Sequence, residues 1–452
     1  MVVPGRLVCV LAVAAPLALC LACSAPGRPA LTKGDLKVDG LRITLLPTGE
    51  SVTIEPLPML HHECEGALNL GEPGCRGPFL LPKTAWIYRG LRPGSLVVTL
   101  GDDASVRLAP GRDYLVDEAW GSVNAAPGSQ FPPGTRLHFA YDYTSSRLDL
   151  VERTREGRLQ VVKGTEDMRQ PLLPETTSDS TPLFSVYLPH NTTALGPDSI
   201  NLIDPAYRGI PPVSRTEALA PIVARLAEDA PVTIVFFGDS VTAQGPEAFR
   251  DGRGSYVDRF ATYLGERYPA RAVRATPMHT PVAPRPGQVV VVRAGVGGDD
   301  TRDALARLDR DVLRHRPDLV VVMFGTNDEN RSDAGNHVPV AEYRANLAAI
   351  AARLRAAGSE PLLMTTGMKN PGWIGTAGNL QEYAAAARSV AEEYGLCLVD
   401  NFHAWEQLPR RGYHPMIFLG SCINHPVDLG HQLFHEGLCA AFDSAAGIAC
   451  ER

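Results

Sequence analysis

The chain has little lysine and no cluster of basic residues. Of its 452 residues, five are lysines and 38 are arginines, and the formal net charge is −7. The arginines are spread along the sequence instead of forming a block of positive charge. Because nucleic-acid binding relies on clustered cations that neutralise phosphates, this distribution argues against a nucleic-acid partner.

The sequence also lacks paired metal ligands. His61, His62, Glu63 and Cys64 stand together, but no second pair of ligands follows at the spacing of a zinc site. We therefore expect neither a metal ion nor a cofactor.

The N-terminal residues are typical of an export signal. Residues 7–21 form an apolar run with Arg6 before it and Ala22 and Cys23 after it. This run is shorter than the roughly 20 residues that span a bilayer, so it predicts a signal peptide over 1–22. Leu21-Ala22-Cys23 is similar to a bacterial lipobox, which predicts lipid attachment at Cys23 and a tether over 23–33. We expect an exported protein that is anchored to a membrane through this lipid, on the cell surface or in the periplasm, or secreted if Cys23 is unmodified.

The remaining cysteines fit an exported chain. Six are left when Cys9, Cys20 and Cys23 are set aside, and an even number favours disulfides outside the cytoplasm. Cys64 and Cys75 are spaced for a local disulfide. The other four allow three pairings, which stay open: Cys397, Cys422, Cys439 and Cys450.

Residues 34–190 have the pattern of a β-rich domain. Short runs of alternating or branched residues are separated by turn sequences such as Arg92-Pro93-Gly94, and no periodic helix of ten residues occurs. These runs predict an all-β, sandwich-like domain, with strands at 41–45, 95–100, 114–117, 137–143, 147–151, 159–162 and 183–188. Such a domain either binds carbohydrate or packs against its neighbour as a spacer. The proline-containing residues 191–213 predict a linker.

Residues 214–452 alternate between buried strands and amphipathic helices. Five short runs consist mostly of apolar or β-branched residues, as expected of strands that are covered on both faces: 232–237, 289–293, 319–324, 361–366 and 396–399. Helical periodicity appears between them. The alternation predicts an α/β domain, a three-layer α/β/α sandwich around a five-stranded parallel sheet.

Residues that could take part in catalysis or bind a ligand follow three of these strands. Gly238-Asp239-Ser240 ends the first strand, a glycine-rich loop with Gly298 follows the second, and Asn327 follows the third. His425 stands near the C-terminus. Because parallel strands present their carboxyl ends at one edge of the sheet, these residues are expected to meet there.

The order of these blocks resembles the SGNH hydrolases, also called GDSL esterases, over roughly residues 216–446. The resemblance implies that Ser240 is the nucleophile and His425 the general base. It also implies an oxyanion hole made by Ser240, Gly298 and Asn327. The implied activity is a serine esterase acting on an acylated carbohydrate, with O-acetyl or other short acyl esters expected first. Two alternatives stay open: an O-acyltransferase with the same site, and a catalytically silent surface lipoprotein that binds carbohydrate or has a structural role.

One position departs from the family pattern. The family usually carries an aspartate three residues before its histidine, and Cys422 stands there. A thiol cannot stabilise an imidazolium ion as a carboxylate does. Asp428 is an alternative orienting acid, but we favour a Ser-His dyad, as in some two-domain carbohydrate esterases. Asp239 and Trp373 are expected to line the substrate cleft.

Overall fold

A computed structural model describes residues 31–68, 87–101, 103–420 and 423–448. The predicted signal peptide, Cys23, Cys75 and Cys422 lie outside the described residues. Among the helices of the described ranges, none is both long and apolar enough to cross a membrane.

The N-terminal part is made of β-strands, as its sequence predicts. Thirteen strands are found in its described residues: β1 (Leu36–Asp39), β2 (Arg42–Leu45), β3 (Ser51–Thr53), β4 (Leu60–Ala67), β5 (Val97–Leu100), β6 (Asp103–Arg107), β7 (Tyr114–Asp117), β8 (Ser122–Ala125), β9 (Arg136–Tyr143), β10 (Arg147–Arg153), β11 (Leu159–Val162), β12 (Thr181–Leu188) and β13 (Ile200–Leu202).

These strands build two apolar cores. The antiparallel sheet β1-β2-β3 and the four-stranded sheet β11-β10-β12-β13 enclose one core around Ile43, Phe184 and Val186. The sheet β4-β9-β5-β6 and the hairpin of β7 and β8 share a second core around Phe139 and Tyr141. We refer to residues 31–202 as the β module.

The C-terminal part is built around one large sheet. Its strands are β14 (Val213–Ser214), β15 (Val232–Gly238), β16 (Ala272–Pro277), β17 (Gln288–Gly295), β18 (Leu319–Met323), β21 (Glu360–Met364) and β22 (Cys397–Val399). A separate small hairpin is formed by β19 (Arg331–Ser332) and β20 (Gly335–Asn336).

The sheet has seven strands, not the predicted five. Its order is β14-β22-β21-β18-β15-β17-β16, and only β14 runs antiparallel to its neighbour. The two additional strands form the edges. β16 buries only Thr276 and carries Arg274, so it lacks the continuous apolar run of a central strand. β14 has two residues and no pattern of its own.

Helices cover both faces of this sheet, which confirms an α/β fold. They are α1 (Ala220–Ala227), α2 (Ser240–Ala243), α3 (Tyr256–Arg267), α4 (Thr301–Asp311), α5 (Val340–Ala356), α6 (Leu380–Tyr394), α7 (Asn401–Glu406) and α8 (Asp428–Ala445). Alternate residues of β15 serve opposite faces, since successive side chains of a strand point in opposite directions. Ile234 and Phe236 pack with α1, α3 and α8, whereas Val235 and Phe237 pack with α4, α5 and α6.

The β module packs directly on the α/β part. The Arg250 guanidinium donates from Nη1 to Asp167 Oδ2 at 2.8 Å. Ser185 Oγ donates to the carbonyl of Gly412 at 2.5 Å. The predicted linker is ordered between them, because its residues supply β13 to one sheet and β14 to the other.

No disulfide is present among the cysteines of the described residues. Cys64 and Cys397 are free thiols in the structure. Cys75, the expected partner of Cys64, lies outside the described residues, so that disulfide stays a prediction.

Candidate active site

Ser240 stands at the carboxyl edge of the sheet, on a sharp turn between β15 and α2. Asp239 caps α2, with Oδ1 accepting from the amide of Val241 at 2.9 Å. The turn requires a glycine at 238, because a Cβ there would lie 2.1 Å from Thr242 Oγ1 and 2.8 Å from the carbonyl oxygen of Met323. The close approach of α2 to the sheet leaves the Ser240 side chain partly exposed at the strand end.

His425 faces this serine from another loop. Its Nε2 lies 2.8 Å from Ser240 Oγ, within hydrogen-bond distance. The loop is closed at its base, since the Gly420 amide donates to the His425 carbonyl at 2.8 Å. Burial lowers the pKa of His425, so the ring is neutral at neutral pH and able to accept a proton. The structure thus brings together the two residues that the sequence predicts to react.

His431, the nearest competing histidine, has both ring nitrogens engaged. The amide of Tyr256 donates to its Nδ1 at 3.1 Å, so Nε2 carries the proton and donates to Gln244 Oε1 at 2.9 Å. The side chain is fully buried. Its burial lowers its pKa well below the ordinary value, so it remains neutral. These contacts give His431 a structural role.

The loops after β17 and β18 present the predicted oxyanion donors. Gly298 has a φ of +88°, a conformation that favours glycine, and a Cβ on the preceding Gly297 would lie 3.8 Å from the Ser240 Cβ. Asn327 donates from Nδ2 to the Asp299 carbonyl at 2.9 Å, while Asn330 donates to its Oδ1 at 3.4 Å. These two contacts fix the orientation of the Asn327 carboxamide. The second hydrogen on Nδ2 is left to donate to a substrate.

A buried arginine that the sequence analysis missed holds these loops together. Arg307 donates from Nη2 to the Gly238 carbonyl at 2.8 Å and from Nη1 to the Ala294 carbonyl at 3.0 Å, and its Nε pairs with Asp299. The residue is 5% exposed. One guanidinium therefore fixes the ends of β15 and β17 and the residue after Gly298.

A signal for Arg307 was present in the sequence. It lies on the buried face of α4 with Ala304 and Leu308, where an amphipathic helix normally carries apolar residues. A charge at such a position requires hydrogen-bonding partners in the interior.

Two carboxyl groups lie beneath the site. Burial raises the pKa of Asp239 to about 7 and that of Asp328 to about 6. Asp328 accepts from the Thr301 amide at 3.0 Å and so ties the start of α4 to the Asn327 loop. Asp239 is 1% exposed, so the structure places it under the nucleophile and not on the open wall of a cleft, where we expected it.

Asp428 contacts the loop before α3 and the start of α3 itself. The described contacts of its Oδ1 are with the amide of Asp251 at 3.2 Å and with Arg259 Nη2 at 4.0 Å. These contacts fasten the start of α8 to the loop before α3. They give Asp428 a role of its own, and the Ser-His dyad stays a prediction.

Trp373 lies on the loop that follows β21. The Asn370 amide donates to the Ile423 carbonyl at 2.7 Å, which fixes this loop beside the one that carries His425. The Trp373 ring is partly exposed, and Lys369 Nζ lies 5.3 Å from its centroid. Its role in a substrate cleft stays a prediction.

The lowered pKa of His425 predicts a particular pH profile. The base acts only when neutral, so kcat/KM for p-nitrophenyl acetate should rise with pH through the His425 pKa and level off. Because burial lowers that pKa, the rise should centre below the ordinary histidine value of about 6.5. Asp239→Asn is the control, since the pKa of Asp239 is raised to about 7. A rise centred above 7 and unchanged in Asp239→Asn would contradict the role of His425.

A serine at the end of the central parallel strand, with an imidazole and a carboxamide on the loops around it, is the arrangement of an SGNH hydrolase, a class of ester hydrolases. Within the described ranges, no group of three or more histidine, cysteine, aspartate or glutamate side chains is arranged to hold a metal ion.

Comparison with known proteins gives the family. Residues 236–433 match the model of the GDSL-like lipase/acylhydrolase family. An acetylxylan esterase from Geobacillus stearothermophilus is 30% identical over 213 residues, which cover 44% of this chain and 89% of that protein. The chain belongs to the GDSL-like lipase/acylhydrolase family, and it is an ester hydrolase. The β module lies outside the matched residues.

Three further similarities were found. An uncharacterised lipoprotein of Bacillus subtilis, YqeF, is 38% identical over 80 residues, or 18% of this chain and 33% of that protein. Among solved structures, an acetylxylan esterase from Geobacillus stearothermophilus matches with a TM-score of 0.37 and 23% identity. The match covers 47% of this chain and 94% of the esterase chain. A lipase/acylhydrolase from Enterococcus faecalis matches with a TM-score of 0.36 and 24% identity. This match covers 49% of this chain and 99% of the lipase chain.

Proposed function

We propose that the protein is an exported serine esterase that removes O-acetyl or other short acyl groups from a carbohydrate. The observation that carries the catalytic part is the 2.8 Å contact between Ser240 Oγ and His425 Nε2 at the edge of the sheet. The carbohydrate part is supported by the relative named as an acetylxylan esterase. Export and lipid attachment at Cys23 are proposed from the N-terminal sequence.

The proposed reaction has two steps. Ser240 Oγ attacks the ester carbonyl carbon while its proton passes to His425 Nε2, and the same proton then goes to the departing sugar hydroxyl. Water next attacks the acyl carbon while its proton passes to His425 Nε2. The bond between that carbon and Ser240 Oγ then breaks, His425 returns the proton to Ser240 Oγ, and the acid is released. In both steps the negative oxygen receives hydrogen bonds from the Ser240 and Gly298 amides and the Asn327 carboxamide.

The environment of the dyad suits this chemistry. A partly buried imidazole with a lowered pKa is neutral when the serine must be deprotonated. Arg307 and the carboxamide contacts of Asn327 hold the donor loops in place before the substrate arrives. A protein that had lost catalysis would not need this preorganisation, which favours an enzyme over a silent binding protein.

A covalent label tests the nucleophile directly. We expect a fluorophosphonate probe to modify the wild-type protein at one serine and to leave Ser240→Ala unmodified, because only a serine deprotonated by a neighbouring base reacts rapidly. Mass spectrometry of tryptic peptides identifies the site. Ser332→Ala is the matched control, since Ser332 is also partly exposed but donates to the carbonyl of Asn336. Labelling that persists in Ser240→Ala would refute the assignment.

The substrate class is tested with the same proteins. Wild type and Ser332→Ala should release acetate from acetylated xylo-oligosaccharides, and Ser240→Ala should not. Hydrolysis of p-nitrophenyl acetate with no release from any acetylated saccharide would retain the serine mechanism and exclude the carbohydrate substrate.

A further inference from the structure

One loop links the base, the oxyanion donors and the β module. It comprises residues 369–376, which we call the Trp373 loop. Asn370 is bonded to Ile423 on the loop of the base at 2.7 Å. On the other side Lys369 Nζ donates to Asn330 Oδ1 at 2.7 Å, and Asn330 in turn donates to Asn327. The Trp373 loop is therefore a fixed wall beside the reacting groups.

The β module touches this loop through an aromatic side chain. A Cβ on Gly372 would lie 2.3 Å from the Tyr88 hydroxyl oxygen and 2.8 Å from its Cζ, so Tyr88 lies directly on the Gly372 backbone. Tyr88 is partly exposed. The ring of Trp120, which is 5% exposed, supports it with a centroid separation of 4.9 Å. Tyr88 is thus held in place from behind by its own module.

Trp373 is held next to this contact. A Cβ on Gly375 would lie 2.3 Å from Trp373 Cζ2, so the indole lies over the backbone of its own loop. Lys369, whose ammonium is 5.3 Å from the ring centroid, is itself 6% exposed and fixed by Glu329. Ile374, at 81% exposed, extends the apolar surface of the loop. Two partly exposed rings from different parts of the chain therefore lie at the same loop, Tyr88 at Gly372 and Trp373 at Gly375.

The position of the β module relative to this loop is fixed by contacts elsewhere. Besides the bond between Arg250 and Asp167, the chain just after the module is also attached: the Asp204 amide donates to the carbonyl of Arg410 at 2.9 Å, and the two side chains form an ion pair. Arg169 lies against Gly420, where a Cβ would be 2.8 Å from Nη2. The module thus contacts the loop of the base as well as the Trp373 loop.

We propose that Tyr88 and Trp373 together form a subsite for a sugar ring of an acylated oligosaccharide, with the β module supplying one side of it. This inference rests on the proposed carbohydrate esterase function. Pyranose rings have an apolar face of C–H groups, and rigid aromatic rings cover such a face at little cost in conformational entropy. Through this subsite the module selects for saccharide esters over small aryl esters.

Selectivity measurements test the subsite. For wild type, Tyr88→Ala and Trp373→Ala, kcat/KM is measured with acetylated xylo-oligosaccharides and with p-nitrophenyl acetate. The ratio of the two values should fall about tenfold in each variant, mostly through a higher KM for the oligosaccharide. Tyr88→Phe keeps the ring and should keep the ratio.

Tyr207→Ala is the matched control. Tyr207 is a partly exposed tyrosine that packs on Arg410, at a centroid distance of 4.2 Å, away from the Trp373 loop. Its loss removes the contact between Arg410 and the segment that follows the module, and it should leave the ratio unchanged. Thermal midpoints identify variants that fail to fold, and Trp373→Ala tests the subsite independently if Tyr88→Ala is unstable.

The outcomes separate the subsite from the proposed function. An unchanged ratio in folded Tyr88→Ala and Trp373→Ala, with wild type active on the oligosaccharide, would overturn the subsite alone. A wild type that hydrolyses p-nitrophenyl acetate but no saccharide ester would overturn the carbohydrate function and the subsite with it.

Discussion

Replacing His425 with alanine is expected to lower kcat by on the order of 10⁴- to 10⁶-fold, because serine and base act as a unit in such hydrolases. The imidazole lies 2.8 Å from Ser240 Oγ, and without it the serine must lose its proton to solvent. His425 is only partly buried, so the variant should fold. Steady-state rates with p-nitrophenyl acetate, together with the thermal midpoint, measure both effects.

Two controls assign this loss to the correct base. His431→Asn keeps a polar group beside Tyr256 and Gln244 and should lower stability more than kcat, because His431 is fully buried and engaged on both nitrogens. Asp428→Asn should change kcat by only a few-fold if the enzyme is a dyad. A loss of several orders in folded Asp428→Asn would show that this carboxylate orients the base. Equal losses of kcat in His431→Asn and His425→Ala would remove the assignment of His425.

The central strands of the catalytic sheet could be predicted because each is apolar on both faces. All seven residues of β15 are buried, and β18 is buried throughout. The edge strands β14 and β16 escaped prediction for the opposite reason. An edge strand is covered on fewer sides, so residues such as Arg274 are tolerated there and the pattern that marks a buried strand disappears.

In the β module, the local sequence pattern predicts where strands lie but not how they pair. Several of its strands were predicted within one or two residues, and the bounds of β7 and β11 were predicted without error. Its division into two cores was not predicted. The pairing of β4 with β9 joins residues that are 69 positions apart at Ala67 and Arg136 and 83 apart at Leu60 and Tyr143. Which strands pair over such distances depends on the packing of the whole module.

The residues of the site also fall into those that a local motif predicts and those that only the packing of the fold brings together. Ser240, Gly298, Asn327 and His425 were predicted because each belongs to a short motif, and the structure places the first and last in contact. Tyr88 carries no motif. Its proximity to the Trp373 loop arises only from the packing of the module, so a single sequence gives no indication of it.

The second large loss of kcat is expected on replacing Asn327, whose carboxamide is held in one orientation by its hydrogen bonds. Its Nδ2 donates to the Asp299 carbonyl, and Arg307 holds the Asp299 side chain. The carboxamide therefore has a fixed orientation before the substrate binds, which is the condition under which a donor stabilises an oxyanion most effectively. Asn327→Ala should lower kcat by about 10²- to 10³-fold, equivalent to about 2.7–4 kcal/mol in the barrier, with little change in KM.

Asn327→Asp sharpens this test. The replacement keeps the shape of the side chain but substitutes a charged acceptor for the donor, so it should repel the developing oxyanion and reduce kcat further than alanine does. Asn336→Ala is the matched control, since Asn336 is a partly exposed amide on the same connection that donates to Asn379 Oδ1 at 2.8 Å. Near-normal kcat in folded Asn327→Ala would mean that the carboxamide only braces its loop through the Asp299 carbonyl. In that case the amides of Ser240 and Gly298 would be the only oxyanion donors of those assigned here.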